Sequence, residues 1–300
     1  MPSSASSDPL WEISIVALPE TEEAVIEILG DLFAKPVSSY SDFERGKITV
    51  SVYFEGKDGP RTEQKLALKD VLRRIESQQA GISFSLRRIR NRDWAHSWKL
   101  HFKPIEIGTR LLIKPSWSRK RAKPRQKVVV LDPGLSFGTG QHPTTLFCLR
   151  QVATMSRRPG ERSFLDIGTG SGILAISAAK LGYSPVNAFD YDAKAVEVAR
   201  QNAKRNRVLH KINLREQDVT TLPRQSRNKY SVICANLLAN LLIQERDRIV
   251  SRLELQGGLA IAGILEKEFA EVARTYEKAG MKLVSARTEG EWRSGFFLKN

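Results

Sequence analysis

Phe164-Leu165-Asp166-Ile167-Gly168-Thr169-Gly170-Ser171-Gly172 reads as an apolar strand that runs into a glycine turn and then into a helix. Glycine at alternate positions lets the backbone turn tightly and approach a ligand closely, and the N–H groups that open the following helix point at whatever lies there. The spacing is G-x-G-x-G. Ile173 stands where a dinucleotide fingerprint has its third glycine, which counts against a nicotinamide cofactor. A turn of this kind also serves helix-to-strand packing alone, so its meaning depends on its surroundings.

Downstream, Ala188-Phe189-Asp190-Tyr191-Asp192 closes the next strand and puts Asp190 22 residues after Gly168. A carboxylate at that strand end accepts both ribose hydroxyls of an adenosine group, so Asp190 is assigned to ribose and Asp192 to the cap of the helix that follows. Asp218 is a candidate for an adenine amino group or an ordinary turn residue. Strands are expected near 163–167, 186–190, 212–217, 230–235, 258–263, 282–288 and 293–298. Helices fall at about 142–156, 172–182, 192–205, 238–252 and 267–280. Glu289, Gly290 and Glu291 leave room only for a hairpin between the last two strands. The pattern is α/β: a doubly wound, mostly parallel sheet that ends in an antiparallel hairpin.

Upstream, the run Asp132-Pro133-Gly134-Leu135-Ser136-Phe137-Gly138-Thr139-Gly140-Gln141-His142-Pro143-Thr144-Thr145 concentrates glycine and proline in a loop that must hold a definite shape. His142 has no second His or Cys at ligand spacing, so no metal is expected. His142 and Thr144 are expected to start the helix at Pro143, and Thr145 to face the ligand. Asn236 ends the apolar strand Val232-Ile233-Cys234-Ala235, at the edge where open α/β sheets place their active sites. A helix cap is the alternative role for Asn236, and its position at the strand end favours the functional one. No Asn-Pro-Pro-aromatic tetrapeptide follows that strand.

Residues 1–90 have a different rhythm, β-α-β-β-α-β. Trp11, Ile13 and Ile15 alternate, as do Ile48, Val50, Val52 and Phe54, and Ile82, Phe84 and Leu86; Val25, Ile28, Leu29 and Leu32, then Leu68, Val71, Leu72 and Ile75, fall at helical spacing. With a strand at about 37–43, and Thr21 capping the first helix, this is a small α+β ferredoxin-like domain. Residues 91–127 read as a basic connector that begins as a short helix and includes the strand 110–114. Three of the five tryptophans, Trp94, Trp98 and Trp117, lie in it.

Of the net charge of +15, +12 falls between Arg87 and Lys127, where 14 Lys/Arg face only Asp93 and Glu106. Such a stretch faces RNA, or a protein embedded in RNA, or is a solvated linker. Cys148 and Cys234 sit in apolar surroundings and read as small buried hydrophobes, which suits a reducing, cytoplasmic compartment. Neither a signal peptide nor a membrane span is apparent.

On these motifs the chain resembles the ribosomal protein L11 methyltransferase family (PrmA type). The resemblance spans the N-terminal domain, the runs 98–104 and 113–117, Asp132 to Thr145, Asp166 to Gly172, and Ala235 to Ala239. It implies a class I methyltransferase domain over 128–300, Rossmann-like and seven-stranded, with S-adenosylmethionine as cofactor. It also implies methylation of lysine side chains and the N-terminal α-amine of ribosomal protein L11. The family's cofactor contacts fall on Thr145, Gly168, Asp190 and Asn236. The turn residues Gly170 and Gly172 and the loop residues Phe137 and Gly138 join the expected cofactor site, and Asn236 is expected to orient the amine. Residues 1–90 are expected to recognise the substrate, with rRNA close to 87–127, and the enzyme to work as a cytoplasmic monomer. A related lysine methyltransferase with another protein substrate, or an rRNA methyltransferase, is the alternative.

Overall fold

The structure, a computed structural model, describes residues 10–18, 21–33, 35, 37–42, 46–55, 59–76, 83–89, 103–132, 142–157, 159–160 and 162–300. The chain divides into two compact units, Met1–His101 and Phe102–Asn300.

In the first unit, strands β1 (Leu10–Ala17), β2 (Val37–Asp42), β3 (Lys47–Glu55) and β4 (Ser83–Ile89) form an antiparallel sheet in the order β2-β3-β1-β4. Helices α1 (Glu22–Phe33) and α2 (Thr62–Glu76) fall between them in sequence, as the split β-α-β pattern requires. The period-two residues Ile13, Ile15, Ile48, Val50 and Val52 are buried with Val25, Leu29 and Leu68 of the helices. Thr21 precedes α1, but its hydroxyl donates to the Leu18 carbonyl (2.8 Å), so it closes the preceding turn where a cap was expected.

The second unit begins inside the stretch read as a connector. Around the expected strand, now β6 (Leu111–Lys114), lie β5 (Ile105–Ile107), antiparallel to it, and β7 (Lys127–Val130), parallel to it. β5, at three residues, is too short to show a period, and β7, at the end of the basic stretch, was not expected. The short helix expected near residue 91 lies outside the described residues.

The main sheet has seven strands in the order β10-β9-β8-β11-β12-β14-β13. These are β8 (Phe164–Ile167), β9 (Val186–Asp190), β10 (Ile212–Glu216), β11 (Tyr230–Asn236), β12 (Leu253–Leu265), β13 (Met281–Glu289) and β14 (Trp292–Lys299). The first five in the sheet are parallel, and the β13–β14 hairpin pairs antiparallel onto β12. This is the class I methyltransferase sheet that the resemblance implied. Strand order reverses between β8 and β11, and such a switch point opens a crevice at the carboxyl ends of the strands.

Helices α3 (Pro143–Met155), α4 (Ile173–Leu181), α5 (Ala193–Arg205) and α8 (Glu266–Lys278) lie close to their expected positions. The helix expected over 238–252 is instead two, α6 (Ala239–Gln244) and α7 (Arg246–Val250). They meet at Glu245, which is buried and whose carboxylate pairs with Arg248 (2.7 Å). Helix α5 starts from Asp192, which accepts from the Lys194 N–H (2.8 Å), as a cap should. Helix α4 is bounded by Gly172 (φ +80°) and Gly182 (φ +90°), and all its residues but Lys180 are buried.

A side chain at Gly172 would meet two obstacles: the left-handed backbone, and Ala199 of α5, whose Cβ would lie 3.0 Å from the new one. Gly172→Ala should therefore destabilise the second unit by about 1 to 3 kcal/mol. Urea denaturation followed by tryptophan fluorescence measures this, and an unshifted midpoint would show that the turn tolerates a Cβ.

Candidate active site

The glycine turn is shaped by a buried acid. Asp166, in β8, is 0% exposed, and its Oδ2 accepts from the Thr169 hydroxyl (2.7 Å) and from the Ala175 N–H in the first turn of α4 (3.1 Å). One carboxylate thus ties strand, turn and helix together. Burial pushes its pKa up to about 7, against the pull of the Thr169 and Ala175 hydrogen bonds, and nearby Asp190 adds to the rise. The Gly168 and Thr169 N–H groups both donate to the Phe189 carbonyl (3.0 Å each), which sets the turn on the end of β9.

Asp190 is 7% exposed. Its Oδ2 accepts from the Gly170 N–H (2.9 Å) and its Oδ1 from the Asp192 N–H (3.1 Å). Each oxygen keeps a lone-pair direction for a further donor, so the group is rigidly aimed and still able to hold a pair of hydroxyls. Tyr191 beside it is 78% exposed, a ring at the rim that sequence reasoning did not single out. Asp218 behaves as a turn residue, because its Oδ1 accepts from the Thr220 N–H (2.8 Å).

On the other side of β8, Asn236 ends β11, and its Nδ2 donates to the Thr144 hydroxyl oxygen (3.3 Å). Thr144 in turn shares a hydrogen bond with His142 Nδ1 (2.6 Å), and the imidazole packs edge-on against Trp292 at 5.2 Å between centroids. Two glycines clamp the backbone after Asn236. A Cβ on Gly263 (φ +83°) would come within 2.6 Å of the Leu237 carbonyl oxygen, and one on Gly168 within 2.7 Å of Leu237 Cδ2. Thr145 is 1% exposed, and its hydroxyl has no hydrogen-bond partner among the described residues.

The structure therefore brings Gly168, Gly170, Asp190, Thr144 and Asn236 to neighbouring strand ends, with Thr145 next along α3. Gly172 faces Ala199 and serves packing. Phe137 and Gly138 lie outside the described residues. Asp166, Gly263 and Trp292 had no assigned role from sequence. Only Asp166 carried a signal, an acid in an otherwise apolar strand.

An adenosine-bearing ligand fits this donor set. An aimed carboxylate at a strand end suits vicinal hydroxyls, and the buried Thr145 hydroxyl without a partner is the kind of group a ligand satisfies.

The ribosomal protein L11 methyltransferase (PrmA) family matches residues 9–299. The ribosomal protein L11 methyltransferase of Trichlorobacter lovleyi is 43% identical over 205 residues, 67% of this chain and 66% of that protein. That of Dictyoglomus thermophilum is 31% identical over 301 residues, 94% of this chain and 96% of the relative. Among solved structures, a ribosomal protein L11 methylase from Lactobacillus delbrueckii subsp. bulgaricus aligns with a TM-score of 0.58 at 27% identity, over 66% of this chain and 100% of that one.

Burial lowers the His142 pKa from 6.5 to about 4, so the ring is neutral at physiological pH. Unfolding frees it to take a proton below about pH 6.5, so its contribution is present above that pH, is lost as pH falls toward 4, and then levels off. Asp166, with its raised pKa, has the opposite sign over much of that window. Comparison with His142→Gln isolates the histidine: the wild-type advantage should shrink by up to about 3 kcal/mol between pH 7 and pH 4. Parallel stability curves in denaturant would rule out a buried neutral imidazole.

Proposed function

The chain belongs to the ribosomal protein L11 methyltransferase family, and we propose that it acts as those relatives are named, transferring methyl groups from S-adenosylmethionine to ribosomal protein L11. It is an S-adenosylmethionine-dependent protein methyltransferase whose acceptors are amines, on lysine side chains and at the N-terminus. The supporting observation is the placement of Asp190 and Asn236 at strand ends on either side of the Gly168 turn.

S-adenosylmethionine supplies a methyl group already activated by its sulfonium charge. What remains for the protein is to align a neutral amine and exclude water. Asp190 holds the ribose hydroxyls, the Gly168–Gly170 backbone allows close approach, and Thr145 offers its unused hydroxyl. Phe137 and Gly138 belong to the same site by the resemblance. Asn236 directs its Nδ2 to Thr144, which leaves Oδ1 to accept from the incoming amine. Deprotonating a lysine of pKa about 10.4 at pH 7 costs roughly 4.6 kcal/mol, against about 1.4 for an α-amine of pKa about 8. The lysine acceptors therefore depend more on desolvation and on the sulfonium charge, and a neutral His142 adds no further charge to the site.

We assign substrate recognition to residues 1–90 because every cofactor motif lies in the second unit and the first holds no glycine loop. The basic stretch 87–127 is consistent with rRNA close to the substrate. No helix among the described residues is long and apolar enough to cross a membrane. Action as a cytoplasmic monomer completes the proposal.

Mass spectrometry of purified L11 incubated with the enzyme and S-adenosylmethionine should show methyl increments on its N-terminal and lysine-bearing peptides; an unmodified product would overturn the proposal. Asp190→Asn, which keeps one acceptor oxygen for the turn, should weaken cofactor binding about 10- to 100-fold by calorimetry. Asn236→Ala should lower kcat tenfold or more with a much smaller change in cofactor Kd. Equal losses in both variants would remove the division of roles.

The unit 102–300 produced alone should still bind S-adenosylmethionine yet fail to methylate L11. Full activity from that fragment would end the recognition role of the first unit, and loss of cofactor binding would show that the first unit is needed structurally.

A further inference from the structure

The amino ends of the strands, at the pole opposite the candidate active site, carry a second concentration of charge for which methyl transfer has no use. Lys127 opens β7, Lys180 lies in the last turn of α4, Arg207 follows α5, and Lys211 immediately precedes β10. Asn206 binds this pole together. Its side chain accepts from the Val130 N–H (2.8 Å) and donates to the Val130 carbonyl (2.7 Å), which docks the end of α5 on β7.

Helix α4 packs against both β7 and β10, so these four cations lie on one face. The Lys180 pKa is lowered by its partial burial and then by Arg207, Lys211 and Lys127, all of its own sign. Beside them a cleft of about 480 Å³ opens between residues 182–187 and 210–213, with Ser184, Asn187, His210 and Asn213 among its walls.

The chain that leads into Lys127 is held in shape. Lys114 donates to the carbonyls of Ser118 (3.0 Å) and Lys120 (2.8 Å), and Gln126 accepts from the Lys123 N–H (2.9 Å) while donating to the Gly108 carbonyl (3.0 Å). Glu106 is taken up by Lys120 and Lys123 (2.5 Å each), which leaves Arg119 and Arg121 exposed on an ordered base.

We propose that the pole formed by Lys127, Lys180, Arg207 and Lys211 is a docking surface for the phosphate backbone of an RNA strand. Clustered like charges raise each other's energy, and a polyanion relieves that while releasing its counterions. Arginine forks and amide side chains match phosphate and sugar edges. An anionic membrane would call for an apolar face alongside the charge, and Leu255, the large hydrophobic exposed at the amino end of β12, is separated from β10 by three strands, so no such face adjoins the four cations. An acidic protein would call for an apolar interface core, which is equally lacking. The surface extends past the basic stretch 87–127 onto three further elements, and it does not depend on the identity of the methylated protein.

Fluorescence anisotropy of the full chain with a labelled 20-nucleotide single-stranded RNA, titrated over a range of KCl, tests the proposal. The variant K127Q/K180Q/R207Q/K211Q should bind at least tenfold more weakly at low salt, and the slope of log K against log salt should flatten by about 3. Cofactor binding and methylation of free L11 should stay at wild-type levels in the same variant, which keeps this test separate from the proposed reaction. The control R274Q/K278Q/K282Q, on α8 and β13 at the far edge of the same sheet, should bind RNA as the wild type does. Unchanged RNA affinity in the first variant, an equal loss in the control, or tighter binding to phosphatidylserine vesicles or a polyglutamate peptide than to RNA would overturn the proposal.

Discussion

The buried carboxylate of Asp166 sets the geometry on which the rest of the site depends. An acid with no exposure to water is costly unless its oxygens are engaged; here Oδ2 joins the Thr169 hydroxyl to the Ala175 N–H, while Oδ1 has no hydrogen-bond partner among the described residues. That pair of bonds fixes how β8 leaves the sheet, how the chain turns through Gly168 to Gly172, and where α4 begins. Asp190 holds the same turn from the next strand through the Gly170 N–H. Two carboxylates therefore grip one loop from adjacent strands, and burial, with a smaller contribution from Asp190, raises the pKa of the inner one.

The opposite wall of the crevice is set by close approach. Gly168 and Gly263 each leave a space that the Leu237 segment occupies, so the end of β11 is wedged between the glycine turn and β12 and Asn236 has little freedom to move. The line from Asn236 through Thr144 to His142 and the Trp292 ring then links β11, the start of α3 and the terminal hairpin. The hairpin, which distinguishes this sheet from a plain dinucleotide-binding one, thereby contributes a residue to the support of the site. Preorganisation of this sort suits a reaction in which alignment does most of the catalytic work.

The parts of this arrangement legible in sequence were those governed by local rules. The glycine turn, the Asp192 cap, the hairpin at Gly290 and the alternation of β1 and β3 follow from backbone preference and periodicity, and all were found close to their expected positions. Asp190 and Asn236 could be placed at strand ends because the ends of apolar runs are visible. The roles of Gly263 and Trp292 depend on neighbours far away in sequence, so no local pattern announced them. Strand β5, at three residues, is too short to show a period. Thr21 illustrates a competition within one residue, where the preceding turn claimed a hydroxyl that the helix was expected to use.

The most direct test of a single site spanning these strand ends is a crystal structure of the full chain with S-adenosylhomocysteine. The account predicts ribose hydroxyls within hydrogen-bonding distance of both Asp190 oxygens, the Thr145 hydroxyl engaged, and the sulfur on the Asn236 side of the glycine turn. A ligand bound elsewhere, such as in the cleft at the amino pole, or seated in the crevice with Asp190 contacting only backbone, would contradict it.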